Sequence, residues 1–178
     1  GLALVPPAVG TGTWALRQSG NLLELTYTAP PAFDVFMNLY PELQGADRDA
    51  EADPDHDGLT NFHEFAGGSR PDSAASVPLR ISTFANDSGS GQPHFVLTLA
   101  VRAGTAFSGA GPVIGSKDGI SYRIEGSSNL DGFTLAVEAI SPPVTGDLPP
   151  PMSGYEYRSF RLQAPVPAET RGFLRSAS

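Results

Sequence analysis

The sequence predicts a mainly β protein built around an antiparallel β-sandwich. Of its 178 residues, 20 are Gly and 17 are Pro, whereas charged residues make up only 17%. Short runs in which apolar and polar residues alternate recur between connections rich in Gly, Ser and Pro. Both observations favour many short strands joined by turns and disfavour a helical bundle.

Residues 1–31 are predicted to form a β-hairpin. Apolar residues alternate with polar neighbours on both sides of the turn sequence Ser19-Gly20-Asn21, at Trp14, Leu16, Leu23, Leu25 and Tyr27. A two-stranded hairpin is marginally stable alone in water, so it must pack on the later strands or on a β domain upstream. Because the chain begins in mid-pattern, we expect the second arrangement, in which the hairpin ends an upstream domain of a longer protein.

Residues 32–72 are predicted to join the hairpin to the sandwich through two short helices and a loop. One helix is expected over 32–40, where apolar residues recur at the spacing i, i+3, i+4 and i+7, at Phe33, Phe36, Met37 and Tyr40. A second helix is expected over 61–66, because Gly67-Gly68 provides a C-terminal cap and Pro71 blocks continuation.

Residues 73–178 are predicted to form the sandwich itself. Candidate strands lie at 79–84, 94–102, 121–125, 133–140, 155–162 and 172–175. Long connections rich in Gly, Ser and Pro are expected at 86–93, 103–119 and 141–154. This pattern indicates an antiparallel sandwich of the immunoglobulin or fibronectin kind. The alternation slips within 155–162, which predicts a β-bulge in that strand.

Residues 53–64 match D-x-D-x-D-G-x5-E at every defined position, which is the pattern of an EF-hand calcium loop. Calcium takes six to eight oxygen ligands at about 2.3–2.6 Å. Gly58 stands where such a loop must turn with positive φ. The predicted ligands are the side chains of Asp53, Asp55, Asp57, Asn61 (directly or through water) and Glu64, with the backbone carbonyl of Leu59.

Only one register of the loop satisfies the pattern. A start at Asp47 places Ala52 where Gly is required, and a start at Asp55 places Leu59 where a ligand is required. Magnesium fits less well, because it prefers six ligands and keeps its waters. Since only one loop is found and residues 45–52 have no apolar face, we expect a fixed structural ion and not a calcium switch.

Residues 52–71, ADPDHDGLTNFHEFAGGSRP, resemble the calcium-loop segments of dockerins and thrombospondin type 3 repeats. They look still more like C-terminal modules of large secreted proteins from Verrucomicrobia and Planctomycetes. SYRIEGSSNL at 121–130 and RGFLR at 171–175 are similar to strands of the terminal sandwich in those modules. The resemblance implies a secreted calcium module with a β-sandwich, in which His56 replaces a common Gly.

Several other functions are disfavoured by the composition. A net charge of −8 repels nucleic acid, and the absence of Cys excludes disulfides and thiolate metal sites. No apolar run approaches the roughly 20 residues of a membrane span. A zinc site would need His56, His63 and His94 to converge, and no nucleophile motif or phosphate loop is found. We therefore predict that the chain is not an enzyme.

The predicted function is a non-catalytic, calcium-binding structural or anchoring module of a secreted or cell-surface bacterial protein. The ion is expected to fix the segment that joins the hairpin to the sandwich. Expected partners are other domains of the parent protein, a surface protein or a polysaccharide. Two alternatives stay open: a calcium-dependent carbohydrate-binding module, in which Trp14, Tyr155 or Tyr157 stacks on sugars, and a docking module of the dockerin kind.

Overall fold

The structure is a computed structural model, and it describes residues 12–19, 22–86, 91–130, 132–163 and 173–177. The chain divides into two compact units, Gly1–Glu42 and Leu43–Ser178. The boundary falls within the predicted 32–72 segment, so the calcium-type loop belongs to the second unit together with the sandwich strands. Among the described residues, no helix is long and apolar enough to cross a membrane.

The first unit contains the predicted hairpin. Strands β1 (Thr13–Ser19) and β2 (Leu22–Thr28) pair antiparallel, with Trp14 opposite Tyr27. The rings of this pair lie 4.8 Å apart between centroids, and the Trp14 side chain stays 46% exposed. Gly20 and Asn21 of the predicted turn lie outside the described residues.

The first helix is shorter than the sequence predicts. Helix α1 (Ala32–Met37) ends three residues before Tyr40, where the chain tightens. The N–H of Leu39 donates to the Phe36 carbonyl at 3.0 Å, and the N–H of Tyr40 donates to the Met37 carbonyl at 3.1 Å. These i→i−3 bonds precede Pro41, and a residue before proline is biased away from the α conformation.

Near the start of the second unit lie a short 3-10 helix at Gly45–Arg48 and helix α2 (Asn61–Gly67), and the last four residues of the calcium-type loop form the first turn of α2. Among the described residues eight strands follow, with bounds β3 Arg80–Asn86, β4 Pro93–Arg102, β5 Ala106–Ser108, β6 Val113–Lys117, β7 Ile120–Ser127, β8 Val137–Ile140, β9 Tyr155–Leu162 and β10 Phe173–Ala177. They form two antiparallel four-stranded sheets, in the orders β3-β4-β9-β8 and β10-β7-β6-β5. The predicted mainly β fold with an antiparallel sandwich is confirmed.

Two strands were not predicted, because β5 and β6 lie inside the expected 103–119 loop. Gly115 of β6 pairs with Phe107 of β5. A Cβ on Gly115 would lie 2.7 Å from the Phe107 ring, so the glycine makes room for an aromatic side chain. The Phe107 ring in turn packs on Phe160 of β9 at 4.9 Å between centroids, which joins the two sheets.

The predicted β-bulge in β9 is wrong. The register between β4 and β9 is unbroken from Val96, which pairs with Arg161, to Arg102, which pairs with Tyr155. Both faces of β9 are covered instead, so apolar side chains occur on each. Phe160 is fully buried against the other sheet, whereas Ser159, on the opposite face, accepts a hydrogen bond from the Val144 N–H at 2.8 Å.

Candidate metal centre

The loop at 53–64 is curled by hydrogen bonds from its own backbone to its aspartates. The N–H of Gly58 donates to Asp53 Oδ2 at 3.0 Å, and the N–H of Asp57 donates to Asp55 Oδ1 at 3.2 Å. The N–H of Leu59 donates to Asp57 Oδ1 at 2.7 Å. Each aspartate therefore uses one oxygen to shape the loop and keeps the other for a further partner.

Two residues of the loop have positive φ, as the tight curl requires. Gly58 has φ +92°, which confirms the reason for glycine at this position. His56 has φ +62°, in the left-handed region that His adopts less readily than Gly. At this position glycine would adopt the same conformation without a steric penalty.

Asn61 ties the start of α2 to the segment before the loop. Its amide nitrogen donates to the carbonyls of Asp47 at 2.9 Å and Asp49 at 2.8 Å. Its backbone N–H donates to the Ala52 carbonyl at 2.8 Å. Residues 45–52 have no apolar face that could pack against the protein. These hydrogen bonds hold the segment in position instead. Because both amide hydrogens are used, the orientation of the Asn61 side chain is set.

Four buried oxygens of the loop have no hydrogen-bond partner. They are Asp53 Oδ1, Asp55 Oδ2, Asn61 Oδ1 and Glu64 Oε2. In the part of the chain that the structure describes, no other buried side-chain nitrogen or oxygen atom lacks a hydrogen-bond partner. A buried polar atom without a partner costs about 1–3 kcal/mol. All four belong to predicted calcium ligands, at loop positions 1, 3, 9 and 12.

The carboxylates of Asp53, Asp55 and Asp57 converge. One oxygen from each lies within 4.8 Å of the others, and this is the one metal-type cluster of His, Cys, Asp and Glu among the described residues. Asn61 and Glu64, which follow the three aspartates in the sequence, are fully buried. The donor set contains only oxygen, which suits a hard divalent cation. The three aspartates thus offer a donor set that fits such an ion, whereas Glu64 lies outside this cluster.

The electrostatics of the loop also favour a cation. Burial is the main cause that raises the pKa of Glu64 from 4.5 to about 7; the charges of Asp55, Asp57 and Asp53 contribute to this rise, and the Ser69 hydrogen bond opposes it. Burial is also the main cause that raises the pKa of Asp55, with smaller contributions from Asp57 and Asp53. A nearby positive charge would relieve both costs.

Leu59 has two roles in the structure. Its carbonyl is the predicted backbone ligand, and its N–H is held by Asp57 Oδ1 at 2.7 Å. Leu59 also lines a cavity of about 320 Å³, with Leu79 and Leu99 among the other lining residues. The loop and strand β4, which contains Leu99, therefore border the same cavity.

Helix α2 is fastened to the sandwich by two tyrosines that the sequence did not reveal. Tyr155 Oη donates to the Phe65 carbonyl at 2.6 Å, and Tyr122 Oη donates to the Ala66 carbonyl at 2.8 Å. The Arg102 guanidinium lies over the Phe65 ring at 5.0 Å and over the Tyr155 ring at 4.8 Å. Carbonyls at a helix end have no partner within the helix, so these tyrosines supply donors that α2 needs.

Two of the three histidines, His63 and His94, have other contacts. His63 Nδ1 lies 2.8 Å from Thr60 Oγ1, beside the N-cap of α2. His94 is buried, and its Nδ1 lies 2.9 Å from the Leu162 carbonyl in the sandwich.

No family model, curated protein or solved structure matches the chain.

Proposed function

We propose that the chain is a non-catalytic, calcium-binding structural module of a secreted or cell-surface bacterial protein. The observation that carries the proposal is the set of four buried oxygens without hydrogen-bond partners at loop positions 1, 3, 9 and 12. An ion bound by these atoms would replace the missing partners. The same positions bear the ligands of an EF-hand calcium loop.

Calcium accounts for the donor set better than other common ions. Asp53, Asp55, Asp57, Asn61, Glu64 and the Leu59 carbonyl provide at least six oxygens, within the six to eight that calcium takes. Magnesium would keep several waters and use one or two carboxylates, which would leave some of the buried oxygens without a partner. Zinc prefers nitrogen and sulfur ligands, and the histidines described above have other contacts.

The contacts of the loop support a structural role for the ion. Glu64 stands in α2, and the next two carbonyls of the helix accept from Tyr155 and Tyr122. An ion that holds Glu64 therefore also holds the helix against the sandwich. At a hundredfold excess over its dissociation constant, a ligand adds about 2.7 kcal/mol of stability, which is a large share of the stability of a small domain.

A location outside the cell would imply a weak calcium site. Extracellular calcium modules bind at about 10⁻⁴–10⁻³ M, whereas tighter sites belong to sensors and buffers. The resemblance of residues 52–71 to secreted modules supports such a location. A module of this kind would serve as a rigid connector or anchor for the domains of its parent protein.

The test is calcium titration by calorimetry, combined with thermal melts in calcium and in chelator. We expect one ion per chain, a melting temperature several degrees lower in chelator, and no calcium response in Asp55→Ala. Glu51→Gln is the matched control, since Glu51 is an exposed acidic residue outside the ligand set, and it should respond as the wild type does. Equal melts with and without calcium would overturn the proposal.

A calcium-dependent carbohydrate-binding module is the second candidate, and one observation favours it. The Trp14 ring is 46% exposed beside Tyr27, so it could stack on a sugar. Tyr155, by contrast, is buried, with its hydroxyl bonded to the Phe65 carbonyl. Binding on a glycan array that is abolished by Trp14→Ala would support this candidate. If no glycan on the array retains the protein, carbohydrate binding is excluded for the glycans tested.

A further inference from the structure

The C-terminal turn of α2 brings the chain back beside Glu64. Gly68 adopts a left-handed conformation with φ +72°. The N–H groups of Gly68 and Ser69 both donate to the Glu64 carbonyl, at 2.8 and 3.1 Å. These two bonds cap the helix, and any non-proline residue at position 69 could supply the second one. The Ser69 side chain is therefore not needed for the cap.

The Ser69 hydroxyl makes a separate bond to the Glu64 side chain. Ser69 is fully buried, and its Oγ donates to Glu64 Oε1 at 3.1 Å. The other oxygen, Glu64 Oε2, is buried without a partner. The hydrogen bond thus fixes one oxygen of the carboxylate and limits the rotation of the group, which leaves the second oxygen in a defined place.

We propose that Ser69 is a positioning residue for the metal ligand Glu64, so that the calcium site extends five residues beyond the twelve-residue loop. The inference rests on the proposed calcium function. A glutamate side chain loses considerable rotamer freedom when it is held in one conformation. The hydrogen bond from the Ser69 hydroxyl restricts the Glu64 rotamers before the ion binds, so less rotamer freedom is lost on binding. Groups that orient metal ligands commonly change metal affinity by 10–100-fold when they are removed.

The test compares Ser69→Ala with Ser127→Ala. Ser127 is a matched control, because it is also fully buried and its Oγ accepts hydrogen bonds from the backbone of a turn, from Asn129 at 3.2 Å and Leu130 at 3.0 Å. We expect Ser69→Ala to raise the dissociation constant for calcium by about 10-fold or more. Its calcium dissociation rate, measured by stopped-flow mixing with a chelating dye, should rise by a similar factor. Ser127→Ala should lower the melting temperature and leave both quantities within about twofold of wild type.

A second pair of variants separates the hydroxyl from packing. Ser69→Thr and Ser69→Val place side chains of the same shape in the same buried site, and only threonine keeps the hydroxyl. We expect the threonine variant to bind calcium about 10-fold more tightly than the valine variant. Equal affinities of this pair, or wild-type affinity in Ser69→Ala, would overturn the inference. A wild-type chain that binds no calcium would overturn the proposed function itself, which is a different result.

Discussion

Replacement of Glu64 by glutamine is expected to stabilise the calcium-free protein and to remove most of the stabilisation that calcium gives the wild type. The Glu64 side chain is fully buried, and Oε2 has no hydrogen-bond partner. In chelator above neutral pH, this carboxylate is charged, its Oε2 has no hydrogen-bond partner, and the negative charges of three aspartates lie nearby. Glutamine has almost the same shape, is neutral, and keeps an oxygen that can accept from Ser69. It should therefore stabilise the calcium-free protein and weaken calcium binding.

The magnitude follows from the pKa of the group. A pKa that burial and the neighbouring carboxylates raise from 4.5 to about 7 corresponds to about 3 kcal/mol lost when the carboxyl ionises. Because glutamine still buries a polar group, we expect a gain of about 1–3 kcal/mol in chelator near pH 8. At a calcium concentration a hundred times its dissociation constant, the wild type gains about 2.7 kcal/mol, and the variant should lose most of that gain.

The assay is chemical or thermal unfolding of wild type and Glu64→Gln at about pH 8, in chelator and in calcium. A change of 1 kcal/mol moves the melting temperature of a domain of this size by about 2–4 °C, so both the gain in chelator and the lost response to calcium are measurable. Glu51→Gln makes the same substitution at an exposed position and should stay within about 0.5 kcal/mol of wild type. If Glu64→Gln destabilises the protein equally in chelator and in calcium, the carboxylate is held by protein contacts and the reasoning is refuted.

Two further predictions concern pH and the attachment of α2. The folded-state pKa of Glu64 lies above its ordinary value, so the calcium-free folded protein binds this proton more tightly than the unfolded chain does. Its stability in chelator should therefore fall as the pH rises from about 4.5 to about 7, and unfolding curves across that range should show a smaller fall in Glu64→Gln. Tyr155→Phe removes the 2.6 Å hydrogen bond to the Phe65 carbonyl and should cost about 1–3 kcal/mol in both calcium and chelator. An unchanged denaturant midpoint would show that this bond does not fasten the helix.

The loop could be predicted from the sequence because its contacts are local. The hydrogen bonds that curl it join residues two to five positions apart, such as Asp55 with Asp57 and Asp53 with Gly58. A pattern over twelve residues therefore contains both the ligands and the turns that bring them together. The Ser69 contact is also only five residues from Glu64. A serine after two glycines, however, gives no sequence signal beyond that of a helix end.

The attachment of the loop to the sandwich could not be predicted in this way. The bonds from Tyr122 to Ala66 and from Tyr155 to Phe65 span 56 and 90 residues. They depend on the strand order and register of two sheets, which a single sequence does not determine. The missed strand β6 has a similar origin, because Gly115 lowers strand propensity locally while its place opposite Phe107 requires a small residue.

The apolar alternation of β9 misled the prediction for a related reason. A slip from Tyr155 to Phe160 suggests a bulge if only one face of the strand is buried. In the structure one face meets the second sheet through Phe160. The other face is covered by Val144 over Ser159 and by α2 over Tyr155. Strands that are buried on both faces lose the alternation on which the prediction depends.

A crystal structure of the protein grown with calcium tests the proposed site most directly. We predict one ion, identified by its anomalous scattering, bound to the loop at about 2.3–2.6 Å from its ligands. The ligands should include Asp53 Oδ1, Asp55 Oδ2, Asn61 Oδ1 and Glu64 Oε2, the four buried oxygens without partners. A loop that holds water or no density at these oxygens in saturating calcium, or an ion held elsewhere on the chain, would contradict the proposal.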